Sequence, residues 1–461
     1  MTIDVNARTT AQWKAADSAH FLHPFTDHKS LHKETSRIIT RAEGLYIWDS
    51  EGVRLLDMMA GLWCTAVGYG RRELADAASA QMMQLPFYNA FFKTATPPAV
   101  ALAERLCQLA GPGFEHVFYA SSGSEAVDSI LRLARHYWVL KGKPAKKQII
   151  SRKYAYHGST LAGASAGGMS DMHRQGGDLP YYSQIMAPYW FGHRGNMDEA
   201  EFGLAAARAL EQHIIELGAD NVAAFIGEPI QGAGGVIIPP ETYWPEIQRL
   251  CRQYDILLIA DEVICGFGRT GQWFGSQTYG IQPDLMSLAK GLTSGYVPLS
   301  AVMVGDRVAE TLIEEGGEFH HGFTYSGHPV CCAVAMANLD IIENENLIAH
   351  ATSQGAKIKA ALETALGDHP LVGQIRVKGL VGAIELVRDK TSREFFEPDQ
   401  GVGMICRNHC FGNNLVMRAV RDTMIFSPAL TIGDAEIDEF ISLATRAIDL
   451  TLRDARASGA F

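Results

Sequence analysis

Nowhere does the sequence hold an apolar run of the roughly eighteen residues that a membrane helix needs, so no membrane association is expected. The opening stretch, MTIDVNARTTAQWKAADSAH, has no apolar core, so no secretory signal is expected either. Cysteine is sparse, eight in 461 residues, and no Cys-x-x-Cys pair occurs. Scattered thiols without a signal argue against a disulfide framework and point to the reducing cytoplasm. Basic charge is in deficit: 40 Lys and Arg against 51 Asp and Glu leave −11, a field that disfavours nucleic acid as a partner. Internal repeats and low-complexity tracts are missing. With 47% hydrophobic and 20% charged residues, the composition is that of an ordinary soluble globular protein. The length suits two or three packed units.

Metal-binding patterns are equally thin. Cys406-Arg-Asn-His-Cys410 is one pair without a second, so ordinary half-buried thiols are expected there. His20, His23, His28 and His32 cluster early, but Pro24 and the lack of a glutamate partner favour packing or solvated roles. No metal is expected.

Residues 1–75 mix short polar helices with strand-like pieces, and 44–49 with 53–57 read as a hairpin. From about residue 99, helices and short apolar strands alternate. Strands are expected at 116–120, 148–151, 222–228, 256–261 and 299–304. Helices are expected at 98–109, 122–141, 199–217 and 243–254. Within 122–141, Ala126, Ile130, Leu133 and Tyr137 recur at steps of four, three and four, one face of a helix. Ile256-Leu257-Leu258-Ile259-Ala260 is apolar throughout, as suits a sheet covered on both faces. The alternation predicts a mostly parallel α/β sheet. After about residue 335, one long helix from Cys332, strands at 377–386, 415–420 and 424–426, and a last helix from Asp434 read as a smaller α+β unit. The expected division is 1–75, an N-terminal part of the small domain; 76–335, a large domain; and 336–461, the rest of the small domain.

Three stretches carry chemistry. Asp261-Glu262 follows the apolar run and sits at a strand's C-terminal end, where open α/β sheets bind ligands. Lys290 lies 29 residues on, after an apolar stretch and directly before Gly291, and a lysine in such a place suggests carbonyl chemistry through a Schiff base. Ser121-Ser122-Gly123-Ser124-Glu125 joins a strand to a helix. Free N–H groups at a helix start bind anions, and Ser122 with Glu125 also fits a capping box.

Taken together, these stretches resemble the class III (ω-) aminotransferases, pyridoxal-phosphate enzymes of fold type I. The resemblance rests on Ser122-Gly123-Ser124-Glu125-Ala126, Tyr156-His157-Gly158, Gly227-Glu228-Pro229, Asp261-Glu262-Val263, Ala289-Lys290-Gly291 and Thr324-Tyr325, in the family's order. His23-Pro24-Phe25-Thr26 and Val416-Met417-Arg418 extend it to nearly the whole chain. It implies a mostly parallel seven-stranded sheet in a large domain and a small α+β domain drawn from both chain ends. It implies pyridoxal 5′-phosphate as cofactor and a ping-pong transfer of an amino group through an aldimine.

By resemblance, Lys290 forms that aldimine and shuttles the proton, and Asp261 pairs with the pyridinium nitrogen. Val263 and Tyr156 sandwich the ring. Gly123 and Ser124 hold the phosphate, His157 belongs to the cofactor set, and Glu228 stands near the phenolic edge. Thr324 reaches the phosphate of a neighbouring subunit, which implies a homodimer or tetramer with active sites at the interface. Phe25, Leu62, Trp63, Tyr88, Phe91 and Phe92 match pocket and entrance positions. Arg418 matches a mobile arginine that pairs with a keto acid's carboxylate. The aromatic lining with one arginine resembles the amine–pyruvate and β-alanine–pyruvate subgroup, so pyruvate is the expected acceptor. The donor stays open among β-alanine, a diamine, taurine and an aromatic amine.

Rival readings have less behind them. Gly266-Phe-Gly268-Arg-Thr-Gly271 matches G-x-G-x-x-G, but a poor helix former follows it and no βαβ unit is evident. A non-catalytic relative would not need an intact Lys290 and Asp261. A decarboxylase, mutase or racemase of the same fold differs in which Cα bond breaks; only the transaminase turns pyruvate into alanine.

Overall fold

The structure is a computed structural model and describes residues 8–461. The first seven residues, part of the stretch read for a secretory signal and of the 1–75 segment, lie outside the described residues.

Seven strands form the central sheet. Their spatial order is Phe114–Ala120, Ser300–Gly305, Leu285–Leu288, Leu257–Asp261, Val222–Gly227, Gln148–Arg152 and Tyr182–Ile185. Only Ser300–Gly305 runs antiparallel to its two neighbours. The sheet is mostly parallel, as the alternation predicts. Leu257 and Ile259 pack with the Ala126, Ile130, Leu133 and Tyr137 face of helix Gly123–Leu140. Leu258, between them, packs on the other side with helices Glu199–Leu217 and Tyr243–Gln253. A strand covered on both faces needs no polar alternation, which is why this one reads as a continuous apolar run.

Both chain ends build the smaller part. Strands Tyr46–Asp49 and Arg54–Asp57 form the expected hairpin, and Leu415–Val416 adds to it in parallel beside Arg54–Asp57. Val372–Lys378, Val381–Leu386, Thr423–Phe426 and Arg418–Val420 make a separate antiparallel sheet.

Several expectations need correction. The single strand expected at 415–420 breaks at Met417, and its halves join different sheets. The long helix expected from Cys332 is two, Pro329–Asn344 and Leu347–Leu366, because Asn346 turns left-handed at φ 52. The strands Tyr182–Ile185 and Leu285–Leu288 are not among those expected; each is only four residues long, and Tyr182–Ile185 carries polar Ser183 and Gln184. The boundary expected at 75/76 falls inside helix Arg72–Gln84, and that at 335/336 inside Pro329–Asn344. These two helices pack together, so continuous helices rather than linkers join the two parts.

Candidate functional site

The C-terminal ends of the strands surround a cavity of about 410 Å³. Asp261 ends one strand, Glu228 follows another, and the turns after Ala120, Arg152 and Leu288 bring in Ser122–Ser124, Tyr156–Gly158 and Lys290. Sheet topology thus gathers residues scattered over some 170 positions, since every βα turn of a parallel sheet opens on the same edge.

Lys290 has a left-handed backbone, φ 44, an uncommon conformation for a residue with a side chain. Its amine has no hydrogen bond or ion pair among the described residues. Desolvation pulls its pKa below the ordinary lysine value, against the opposing pull of Cys64 and Asp261. A larger share of the amine is therefore neutral and nucleophilic.

Asp261 is buried, which alone would push its pKa up. The hydrogen bond and charge of His157, together with the bonds from Ser287 and Val263, more than offset this and hold it below 3.8. His157 Nδ1 stands 2.7 Å from Oδ2, and Ser287 Oγ donates to Oδ1 at 2.9 Å. The cavity therefore holds a buried carboxylate that stays charged, and the imidazole's other nitrogen has no partner. Glu228 contrasts with it. Burial, aided by the Asp261 charge, pushes Glu228 up to about 7. Tyr156 N–H and Gly232 N–H donate to its two oxygens at 3.2 and 3.0 Å.

Helix Gly123–Leu140 opens toward the cavity. Ser122 Oγ accepts from Glu125 N–H at 3.2 Å, while the Glu125 carboxylate accepts from Ser121 N–H at 2.7 Å. The expected capping box thus reaches one residue further back than Ser122. The Gly123 and Ser124 N–H groups have no acceptor among the described residues. A Cβ on Gly123 would lie 3.1 Å from a Val263 methyl carbon, so a larger residue would have to push Val263 aside by a few tenths of an ångström. Two free donors at a helix start, a charged buried carboxylate and a partnerless amine are complementary to a phosphate, a pyridinium nitrogen and an aldehyde. The residues present fit pyridoxal phosphate.

The remaining expected positions separate into two groups. Trp63 is buried, with Lys290 Nζ 5.9 Å and Arg418 Cζ 5.4 Å from its ring centre. Arg418 is half-buried and has no carboxylate partner among the described residues. Its position follows from the break at Met417. Phe25 lies edge-on to Tyr156, ring centres 6.2 Å apart. Leu62 is exposed beside Trp63. Tyr88 and Phe91 instead line a second groove, Phe92 is exposed, and Thr324 is exposed outside the cavity. The fold of one chain does not bring Tyr88 or Thr324 to Lys290.

Some contributors were missed. Asp57 accepts from Met59 N–H at 2.9 Å, Gly61 N–H at 2.7 Å and Tyr69 O–H at 2.7 Å, and so shapes the turn that presents Trp63. Cys64 lines the cavity. Ser287 pairs with Asp261 across the sheet, a register that no sequence pattern marks. Gly266 to Gly271 lies in turns that follow strand Leu257–Asp261, and the helix after it, Gly275–Tyr279, is only five residues long and does not start within the glycine run. His409 bonds Asp454 at 2.8 Å and does not converge with buried Cys406 and Cys410.

Residues 28–448 match the aminotransferase class-III family. The putrescine–pyruvate aminotransferase of Pseudomonas aeruginosa is 56% identical over 452 residues, covering 98% of this chain and 99% of that protein. A thermostable (S)-enantioselective ω-transaminase from Thermomicrobium roseum superposes with a TM-score of 0.94 at 44% identity, covering 96% of this chain and 99% of its own. The ω-transaminase of Pseudomonas jessenii in complex with PMP gives 0.93 at 42% identity, over 95% and 98%.

Proposed function

The chain belongs to the class-III aminotransferases, a pyridoxal-phosphate-dependent family, and from this we propose that it moves an amino group from a diamine such as putrescine to pyruvate. The observation that carries the chemistry is one cavity holding the unpaired Lys290 amine and the charged, buried Asp261.

When bound, pyridoxal phosphate supplies a carbonyl carbon and an electron-withdrawing ring. Each chain residue then has a defined task. Gly123 and Ser124 N–H groups, with the positive end of their helix, hold the phosphate. Asp261 holds a proton at the ring nitrogen, and His157 and Ser287 keep its carboxylate aimed and ionised. Val263 and Tyr156 pack against the ring. Lys290 Nζ accepts the proton from the carbon that bears the donor's amine and later returns one. Glu228 fixes the Tyr156 turn through the backbone N–H of Tyr156.

Arg418 pairs with the carboxylate of pyruvate. With no carboxylate partner among the described residues, it is free to leave when the donor has none. The Trp63 and Tyr156 rings offer the diamine's second ammonium an aromatic face. Thr324 and Tyr88 complete the site of a second subunit in a cytoplasmic homodimer. Support for the dimer comes from their distance from Lys290 in their own chain and from the exposed Phe87, Phe92 and Tyr325 around them. No described helix is long and apolar enough to cross a membrane.

The deciding experiment is a donor panel of putrescine, β-alanine, taurine and an aromatic amine, with pyruvate or 2-oxoglutarate as acceptor. Alanine formed fastest from putrescine supports the reading. Glutamate in place of alanine, or neither product, overturns it.

A further inference from the structure

Phe25 reaches the rim of the cavity by an edge-on contact with Tyr156, yet little holds it there. The residue is 73% exposed and its backbone is left-handed, φ 49. Residues 22–27 donate no backbone hydrogen bond. Asp27 at its far end caps helix His28–Glu34, accepting from Lys29 and Ser30 N–H, and His32 of that helix bonds Ser18; between the two helices the His23 side chain is the tie. Asp17, on helix Thr10–His20, places Oδ1 2.8 Å from His23 Nε2, and its Oδ2 accepts from Ser36 Oγ at 2.7 Å. The carboxylate is mostly buried between them. Phe21 packs on the His23 ring, centres 4.5 Å apart.

Pro24 alone separates His23 from Phe25, and its ring locks φ. Thr26 Oγ1 donates to Pro24 C=O at 2.9 Å and closes the turn. Anchoring the imidazole therefore anchors the phenyl ring two residues on.

We infer that Asp17 is a positioning residue for the amine donor: by clamping His23 and Ser36 it holds Phe25 against Tyr156 as an apolar wall for the hydrocarbon chain between a diamine's two nitrogens. The inference rests on the donor reading above. Asp17 touches no reacting atom, so its loss weakens donor binding and spares the rest of the cycle.

The test uses the holoenzyme with putrescine and pyruvate, and compares Asp17→Ala, Asp17→Asn, Phe25→Ala and the Asp17→Ala/Phe25→Ala double variant. Asp17→Ala is expected to raise the putrescine KM about three- to tenfold, the net worth of about one hydrogen bond. The pyruvate KM, kcat and Tm should stay near wild type. Asp17→Asn, which keeps an acceptor, should lose less. Phe25→Ala should match Asp17→Ala, and the double variant should be no worse than Phe25→Ala alone. Chymotrypsin cutting at Phe25–Thr26 reads the clamp without turnover and should quicken severalfold in Asp17→Ala. Equal loss for both substrates, additive effects in the double variant, or unchanged cutting overturns the clamp. Quickened cutting in a protein that turns over no putrescine upholds the clamp and overturns its role toward the donor.

Discussion

A guanidinium with no anion beside it is a poor use of a half-buried site unless an anion arrives. Arg418 is in that position, 5.4 Å from the Trp63 ring. Desolvation draws its pKa down without making it neutral. A bidentate pair with pyruvate is worth about 1.5–3 kcal/mol. Arg418→Ala should raise the pyruvate KM roughly ten- to a hundredfold and leave the half-reaction with putrescine nearly unchanged. Following cofactor absorbance separates the two half-reactions. An equal effect on both would mean a structural arginine. Glu262, next to Asp261, behaves differently. Burial pushes it up to about 7 from 4.5, although Gly275 and Ser276 N–H groups donate to it at 2.8 and 2.5 Å. Between those pH values the unfolded chain has lost the proton that the native chain keeps. Stability of the cofactor-free protein therefore falls as pH rises from about 4.5 to about 7, by up to about 1.4 kcal/mol per unit from this one group. Urea melts of Glu262→Gln across that window should show the slope reduced, whatever the variant's absolute stability.

At the scale of elements, the sequence was most legible where one physical demand dominates. The 199–217 helix was read to the residue, and Ala126, Ile130, Leu133 and Tyr137 are buried as their spacing predicts. The doubly covered strand Leu257–Asp261 was equally plain. Legibility failed where tertiary partners decide. Tyr182–Ile185 is an edge strand with two polar side chains, and only the neighbouring Gln148–Arg152 makes it a strand. Nothing in Leu415-Val416-Met417-Arg418 tells that its halves belong to different sheets, yet that break positions Arg418. The Lys290, Asp261 and Gly123 set was read from order and spacing, while its supports, Ser287, Asp57 and Asp17, act through space and left no pattern. One of those through-space contacts can be tested. A Cβ on Gly158 would lie 2.8 Å from Ser124 Cα, and its φ of +113 suits glycine alone. Gly158→Ala should push the helix start away from the phosphate seat, a strain of about 1–3 kcal/mol. Cofactor affinity should fall roughly tenfold or more, measured by absorbance after dialysis. Unchanged retention would show that this close approach does not set the seat.

At the scale of the molecule, three parts of one chain build the cavity. The sheet edge gives the floor, the N-terminal part gives Trp63 and Phe25, and the C-terminal part gives Arg418. Tyr88 and Thr324 stand elsewhere, among aromatics that are costly to leave in water: Phe92 is 87% exposed and Tyr325 59%. Beside them runs a groove of about 850 Å³ lined in part by Tyr88, Phe91 and residues 318–322. Exposed apolar clusters of this kind mark contact surfaces, and a twofold dimer would bury the patch and deliver Thr324 to the neighbour in a single step. Subunit mixing decides between this arrangement and a self-sufficient chain. Lys290→Ala removes the amine and should be inactive. Thr324→Ala should be impaired through weakened hold on the phosphate. If Thr324 serves the neighbour's cavity, a mixed dimer contains one site with both residues intact and one with neither. Equal amounts, dissociated and reassociated at random, should then recover about a quarter of the wild-type sites, half the dimers being mixed with one good site each. If Thr324 acts within its own chain, every mixed dimer pairs a site lacking Lys290 with one lacking Thr324, and mixing recovers nothing. The gain on mixing, read as alanine formed above that of the Thr324→Ala protein alone, is thus a direct measure of whether the site is shared.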